Sequence, residues 1–187
     1  MLRAQQALEA AVGRPLPARF TLTKRIPVGS GLGGGSSDAA AALRALSRLH
    51  GLRDLDLRPV AAEVGADVVF LLHGGAAEAA GRGERLTPAP PATGWFAVAW
   101  PGLVVSTGAV YARWDEVGGE GANHLTRAAL AVEPRLQEFA LRLGEGWRMT
   151  GSGSAFFQHC ETRTEAERAV DGLDCWRTVA RPVGAWA

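Results

Sequence analysis

The chain has 187 residues, 47% of them apolar, which is enough for one large domain or two small domains with a substantial core. Its formal net charge is only +1 and its charges are interspersed, so composition predicts no binding of nucleic acid or of an anionic membrane surface. Two cysteines are too few for a disulfide framework or a zinc site, and no apolar run could span a bilayer, so we expect a protein of the reducing cytoplasm.

Hydrophobic periodicity and turn residues predict the elements in chain order. Apolar residues three or four apart indicate helices, alternation indicates strands, and Gly or Pro marks the ends of elements. In the first half these signals predict a helix over 1–13, a strand over 20–26, a helix over 37–50, a helix over 56–64 and a hairpin over 74–86. In the second half they predict a strand over 95–100, a helix capped by Thr107, helices over 125–130 and 134–143, two strands around a glycine turn at 151–153, a helix from a capping box at Thr162 and Glu165 to 173, and a strand over 175–179.

A run of five glycines, Pro27 to Ser37, separates the first predicted strand from the alanine-rich helix. Glycines let the backbone adopt positive φ and bring its N–H groups close to a ligand. The two serines at the end of the run are expected to open the helix, whose N-terminal N–H groups suit a phosphate. A plain turn is the alternative, but Leu32 favours a loop that is anchored in a core and held in one shape.

Two known phosphate loops do not fit this run. Gly29 to Gly34 matches the dinucleotide pattern in spacing, but the preceding strand is amphipathic and ends at Pro27, and no βαβ unit with an acidic strand end follows. The Walker pattern requires a lysine directly before the serine, where this chain has Gly35. The run is therefore predicted to bind phosphate without a lysine of its own.

Four stretches together resemble the small-molecule kinases of the galactokinase, homoserine kinase, mevalonate kinase and phosphomevalonate kinase group. They are the run from Pro27 to Ala40, the stretch from Gly65 to Val68 with Gly81 to Glu84, the segment from Pro101 to Tyr111, and the run from Met149 to Ala155. Their order and spacing resemble most specifically the 4-diphosphocytidyl-2-C-methyl-D-erythritol kinase family of the non-mevalonate isoprenoid pathway. The resemblance implies transfer of the γ-phosphoryl group of ATP to a hydroxyl of the methylerythritol moiety.

The resemblance also implies an α+β fold of two lobes. The ATP-binding N-terminal lobe, residues 1–90, would be like domain 2 of ribosomal protein S5 but incomplete, and the C-terminal lobe, residues 91–187, would be ferredoxin-like. The Pro-rich stretch 89–94 is interpreted as the linker between them. The expected partner is a small-molecule substrate, with neither nucleic acid nor membrane, and the expected state is a monomer or homodimer.

Residue roles follow from the same resemblance. Asp67 would accept the proton of the substrate hydroxyl, whereas the residue by itself is equally compatible with a helix N-cap. Tyr111 would stack on the cytosine ring, whereas an aromatic residue alone is as compatible with core packing. The turn from Gly151 to Ser154 would bring donors toward the phosphates or would be only a strand turn. The expected ligands of ATP are Pro27, Val28, Gly29, Ser30, Gly31, Leu32, Gly33, Gly34, Gly35, Ser36 and Ser37, with Mg²⁺ placed by Ser36 or Ser37, and those of the substrate are Thr107, Tyr111, Gly151, Ser152 and Gly153.

The chain departs from the family pattern at two places. The family begins with a segment that carries a lysine, which works with the aspartate, and a Tyr-His pair, which recognises cytidine. This chain has no counterpart of that segment upstream of the glycine run. Lys24 has no spacing that makes it a substitute, and His124 stands where the family has an acidic residue, so it receives no role. We expect either a start assigned too far downstream, which is favoured, or a truncated and weak product. The alternatives to the leading function are a homoserine or mevalonate type of kinase and a nucleotide-binding module without catalysis.

Overall fold

The computed structural model describes residues 1–81, 83 and 85–185, and these fall into two compact units. The first unit comprises the described residues of Met1–Arg25, Gly33–Ala92 and Val183–Ala187, and the second comprises Ile26–Leu32 and Thr93–Pro182. The predicted division into functional lobes at residues 1–90 and 91–187 stays a prediction. None of the helices formed by the described residues is long and apolar enough to cross a bilayer.

Within its described residues, the first unit contains four helices and a hairpin. The elements are α1 (Leu2–Val12), α2 (Gly34–Leu49), α3 (Arg58–Val64), α4 (Ala66–His73), β1 (Ala77–Ala80) and β2 (Arg85–Pro88). The helix α1 ends as predicted, because Gly13 adopts a left-handed conformation and its N–H caps the Glu9 carbonyl. The apolar faces of the four helices meet in one core, which includes Leu8, Leu16, Leu43, Leu46, Val60 and Val68.

The predicted strand over residues 20–26 is wrong. This segment has no regular secondary structure and pairs with no strand among the described residues. Of its alternating apolar positions, Phe20 packs against the core, whereas Leu22 is 48% exposed. An alternating pattern becomes a strand only when a neighbouring strand satisfies its backbone, and that partner is a tertiary feature.

The second unit is an antiparallel sheet with helices packed against it. Its elements are β3 (Trp95–Trp100), α5 (Thr107–Val117), α6 (Thr126–Val132), α7 (Arg135–Leu143), β4 (Arg148–Met149), β5 (Phe156–Cys160), α8 (Arg163–Val170) and β6 (Trp176–Ala180). The strands lie in the order β4-β5-β3-β6, and every neighbouring pair is antiparallel. This order and the sequence of strands and helices are those of a ferredoxin-like fold, as predicted.

Small residues on the central strand let the helices approach the sheet closely. Ala97 and Ala99 are both fully buried on one face of β3. Ala97 packs in the hydrophobic cluster that includes α8, and Ala99 packs in the cluster that includes α5, α6 and α7. The predicted capping box is present, since Thr162 and Glu165 each cap the other's backbone N–H. The helix they open ends at Val170, before the predicted Leu173.

Candidate active site

The glycine run Pro27 to Ser37 is partly loop and partly helix. Gly33 adopts a left-handed conformation with φ of 67° and caps α2, which begins at Gly34. The expectation that the serines open the helix is therefore wrong, because Ser36 and Ser37 are already its third and fourth residues. The Ser37 N–H donates to the Gly33 carbonyl at 2.8 Å, so the unpaired N–H groups of the first turn are those of residues 34–36. Two of these donors belong to glycines, which leaves space for a phosphate.

The loop part of the run is held by Ser30 rather than by the expected anchoring of Leu32. Leu32 is half-buried and belongs to none of the hydrophobic clusters of the described residues, whereas Ser30 is 2% exposed. The Ser30 hydroxyl donates to the Pro27 carbonyl at 2.9 Å, and the Ser30 carbonyl accepts from the Ala155 N–H at 2.8 Å. One hydrogen bond of the Ser30 side chain and one of its backbone thus hold the loop in one shape.

The two glycine motifs of the chain touch each other at this point. A Cβ atom at Gly31 would lie 2.2 Å from the Gly153 carbonyl oxygen, and one at Gly29 would lie 2.7 Å from a methyl group of Val104. Gly31 and Gly29 also have positive φ of 74° and 75°, so both space and backbone conformation require glycine. The contact of Gly31 with Gly153 brings the second glycine turn beside the loop part of the run.

The second glycine turn is positioned by Asn123, which sequence reasoning missed. Its Nδ2 donates to the Met149 carbonyl at 2.9 Å and to the Gly151 carbonyl at 2.8 Å, and its Oδ1 accepts from the Leu125 N–H at 3.0 Å. One amide side chain therefore ties the turn to the start of α6. In the sequence, Asn123 indicated only a turn or a helix start, which asparagine favours. That preference says nothing about a hydrogen-bond partner 26 residues away.

Two of the predicted substrate residues lie together in the second unit. The Thr107 and Ser152 hydroxyl oxygens are 2.9 Å apart and share a hydrogen bond. Thr107 was expected to cap the helix, and this is wrong, because Ser106 is the N-cap and accepts from the Ala109 N–H at 3.3 Å. Tyr111 lies one turn further along α5 and is 52% exposed, so the alternative of core packing is excluded. Its ring is open to a ligand.

Asp67 is the second residue of α4, and the helix is capped by Gly65. The N-cap alternative for Asp67 is therefore wrong. The carboxylate is exposed and accepts no hydrogen bond from any described residue. One turn further along α4, Leu71 lies 3.6 Å from where a Cβ of Gly33 would stand, so the helix that carries Asp67 packs beside the start of α2. The neighbouring stretch predicted from Gly81 to Glu84 falls in part on residues 82 and 84, which lie outside the described residues.

Comparisons with known proteins identify the family of the chain. Residues 1–75 match the family model described as the GHMP kinases N terminal domain. A 4-diphosphocytidyl-2-C-methyl-D-erythritol kinase of Alkalilimnicola ehrlichii is 39% identical over 188 residues, which cover 92% of this chain and 65% of that protein. The kinase of the same name from Thermus thermophilus is 42% identical over 194 residues, covering 90% of this chain and 69% of that protein. The chain thus spans about two thirds of the length of these curated relatives.

Solved structures support the same assignment. The crystal structure of a 4-(cytidine 5'-diphospho)-2C-methyl-D-erythritol kinase superposes with a TM-score of 0.81 at 37% identity, covering 96% of this chain and 75% of that one. The homoserine kinase from Cytophaga hutchinsonii has a TM-score of 0.62 at 20% identity, covering 97% and 75% of the two chains, and shows the shared fold alone. These likenesses confirm the predicted fold class, and the relatives confirm the predicted class of ATP-dependent small-molecule kinase. The chain belongs to the 4-diphosphocytidyl-2-C-methyl-D-erythritol kinases, a family of the GHMP kinases.

Proposed function

We propose that this chain transfers the γ-phosphoryl group of ATP to the hydroxyl of 4-diphosphocytidyl-2-C-methyl-D-erythritol. The observation that carries the proposal is the glycine loop, whose helix start offers the unpaired N–H groups of residues 34–36 without crowding from side chains. In phosphoryl transfer the protein supplies mainly positioning and charge stabilisation, which backbone donors provide. The expected location is the cytoplasm, and the expected state is a monomer or homodimer.

Asp67 is the proposed base. Its exposed carboxylate is not engaged by any described residue, so it is available to a substrate hydroxyl. The carboxylate accepts the hydroxyl proton as the alcohol oxygen attacks the γ-phosphorus, and the bond to the bridging oxygen breaks to release ADP. Mg²⁺, when bound, would neutralise phosphate charge, and the Ser36 hydroxyl is the proposed protein ligand, because a serine or threonine hydroxyl beside a phosphate loop holds this ion in other phosphoryl-transfer enzymes.

The acceptor is proposed to bind at the pair of Thr107 and Ser152 and at Tyr111. The two hydroxyls can both donate to and accept from polar groups of a substrate, and their mutual hydrogen bond fixes their orientation. The exposed ring of Tyr111 offers a flat apolar face to a pyrimidine base. Gly151 and Gly153 keep the turn free of side chains beside these groups.

The test is a kinase assay of the purified chain with Mg²⁺, ATP and the cytidylyl alcohol, with homoserine as the comparison acceptor. Asp67→Asn should lower kcat by about 10² to 10⁴, the usual contribution of a general base, and leave the Kd for ATP within about twofold. Asp54→Asn is the matched control, because Asp54 is also an exposed carboxylate of the first unit. Nucleotide binding without transfer, and with no effect of Asp67→Asn, would instead indicate a nucleotide-binding module.

A further inference from the structure

An ion pair spans the glycine run. The Lys24 ammonium lies 2.5 Å from the Asp38 carboxylate, and the two side chains are only 27% and 24% exposed. Lys24 is three residues before Pro27, and Asp38 directly follows Ser37, so the pair joins the chain that enters the run to the helix that leaves it. Lys24 is also the single lysine of the sequence.

This pair differs from the other ion pairs whose two residues are both described. Each of those joins residues two to four apart, and most of their side chains are well exposed. The pair of Lys24 and Asp38 spans fourteen residues, and its two side chains are together less exposed than those of any other such pair. Exposed local pairs contribute little to stability, whereas a partly covered pair is weakened somewhat less by solvent and salt.

The position of Asp38 gives the pair a consequence for phosphate. Asp38 is the fifth residue of α2, about 6 Å along the axis from Gly34, given a rise of about 1.5 Å per residue. A bare carboxylate there would oppose the partial positive charge with which the helix start attracts an anion. The Lys24 ammonium neutralises that carboxylate while it holds the segment that enters the glycine run against α2.

We propose that Lys24 and Asp38 are positioning residues for nucleotide binding, and that the affinity for ATP phosphates depends on the pair being neutral rather than on the lysine as such. The inference rests on the proposed function, because it takes the start of α2 as the phosphate site.

Four variants test the proposal by nucleotide affinity. The Kd of Mg²⁺-ATP is measured for wild type, Lys24→Met, Asp38→Asn, the double variant and Lys24→Arg. Lys24→Met should weaken binding about tenfold, because it leaves Asp38 as an uncompensated negative charge near the phosphates. Adding Asp38→Asn should recover affinity to within about threefold of wild type, and Lys24→Arg should also stay within that range. The loss of ATP affinity in Lys24→Met should be smaller in high salt, since salt screens the repulsion between Asp38 and the phosphates.

The outcomes separate this inference from the proposed function. Absence of ATP binding by the wild-type chain would overturn the proposed function and this inference with it. If the wild-type chain binds ATP and Lys24→Met binds it with the same affinity, the inference alone is overturned. A double variant as weak as Lys24→Met would also overturn it, because the lysine would then act on the nucleotide directly.

A second measurement guards against variants that fail to fold. Because Lys24 is the only lysine, acylation by an amine-reactive reagent, located by mass spectrometry, reports on this one side chain in the folded chain. Asp38→Asn should raise its acylation rate several fold, since the ammonium loses its partner. An unchanged rate in a folded Asp38→Asn variant would mean that the pair does not hold Lys24, and would overturn the proposal.

Discussion

Gly31→Ala is the sharpest perturbation of the contact between the two glycine motifs. An alanine at φ of 74° costs about 1–2 kcal/mol of backbone strain. Its Cβ would also lie 2.2 Å from the Gly153 carbonyl oxygen and 2.7 Å from the Gly153 carbonyl carbon. Both atoms belong to the backbone and cannot turn aside as a flexible side chain could. Overpacking of this kind costs about 1–3 kcal/mol more, so the total loss in free energy of unfolding should be about 2–5 kcal/mol.

A matched control separates the clash from the strain. Gly172 has a similar φ of 70°, and a Cβ built there meets no described atom within 4 Å. Gly172→Ala should therefore cost only the strain, about 1–2 kcal/mol. Both positions lie in the second unit, which also contains Trp95, Trp100, Trp114, Trp147 and Trp176.

Tryptophan emission during urea unfolding is therefore a suitable assay, because five of the six tryptophans report on the unit that holds both glycines. The Kd for ATP is measured on the same samples, and Gly31→Ala should weaken it because the loop has to shift. Equal losses of stability in Gly31→Ala and Gly172→Ala would refute the clash. If Gly31→Ala is destabilised but binds ATP with wild-type affinity, the contact of Gly31 with Gly153 does not affect nucleotide binding.

Three further predictions concern the surroundings of the site and the surface. Asn123→Asp should lower kcat/KM for the acceptor at least tenfold in steady-state assays, because a carboxylate cannot donate to the Gly151 carbonyl; wild-type kinetics would contradict this. Thr150→Val should leave the free energy of unfolding unchanged or raise it by up to about 1 kcal/mol, since the buried hydroxyl has no described partner; a loss above about 1 kcal/mol would show that it is bonded. Hydrogen bonds from Arg58 lower the pKa of Asp56 from its ordinary 3.8 to about 2, so any stabilisation from the pair is complete above pH 3.8 and is lost as pH falls through about 2. NMR titration should show this value in wild type and a return toward 3.8 in Arg58→Ala, and an ordinary value in wild type would contradict the pairing.

Local signals in the sequence were enough to predict most of the helices and strands. Gly13 ends α1, and the capping box of Thr162 and Glu165 opens α8, because each signal acts within about one turn of helix. The glycine run was found in the same way, from residue type and spacing, whereas the role expected of Asp67 came from the resemblance to the family. The ferredoxin-like order of the second unit followed from the resemblance and is confirmed by the strand pairing.

Tertiary structure decided the details that make these elements a site. The segment over residues 20–26 is not a strand, because alternation cannot provide a hydrogen-bonding partner. Asn123 had no visible role in the sequence, because its acceptors at Met149 and Gly151 lie 26 and 28 residues away. The contact of Gly31 with Gly153 and the bond of Ser30 to Ala155 likewise join distant residues. The sequence by itself predicted which residues bind phosphate and accept a proton. Only packing between distant segments decided which backbone groups are unpaired, since a donor is available only when the fold leaves it without a partner.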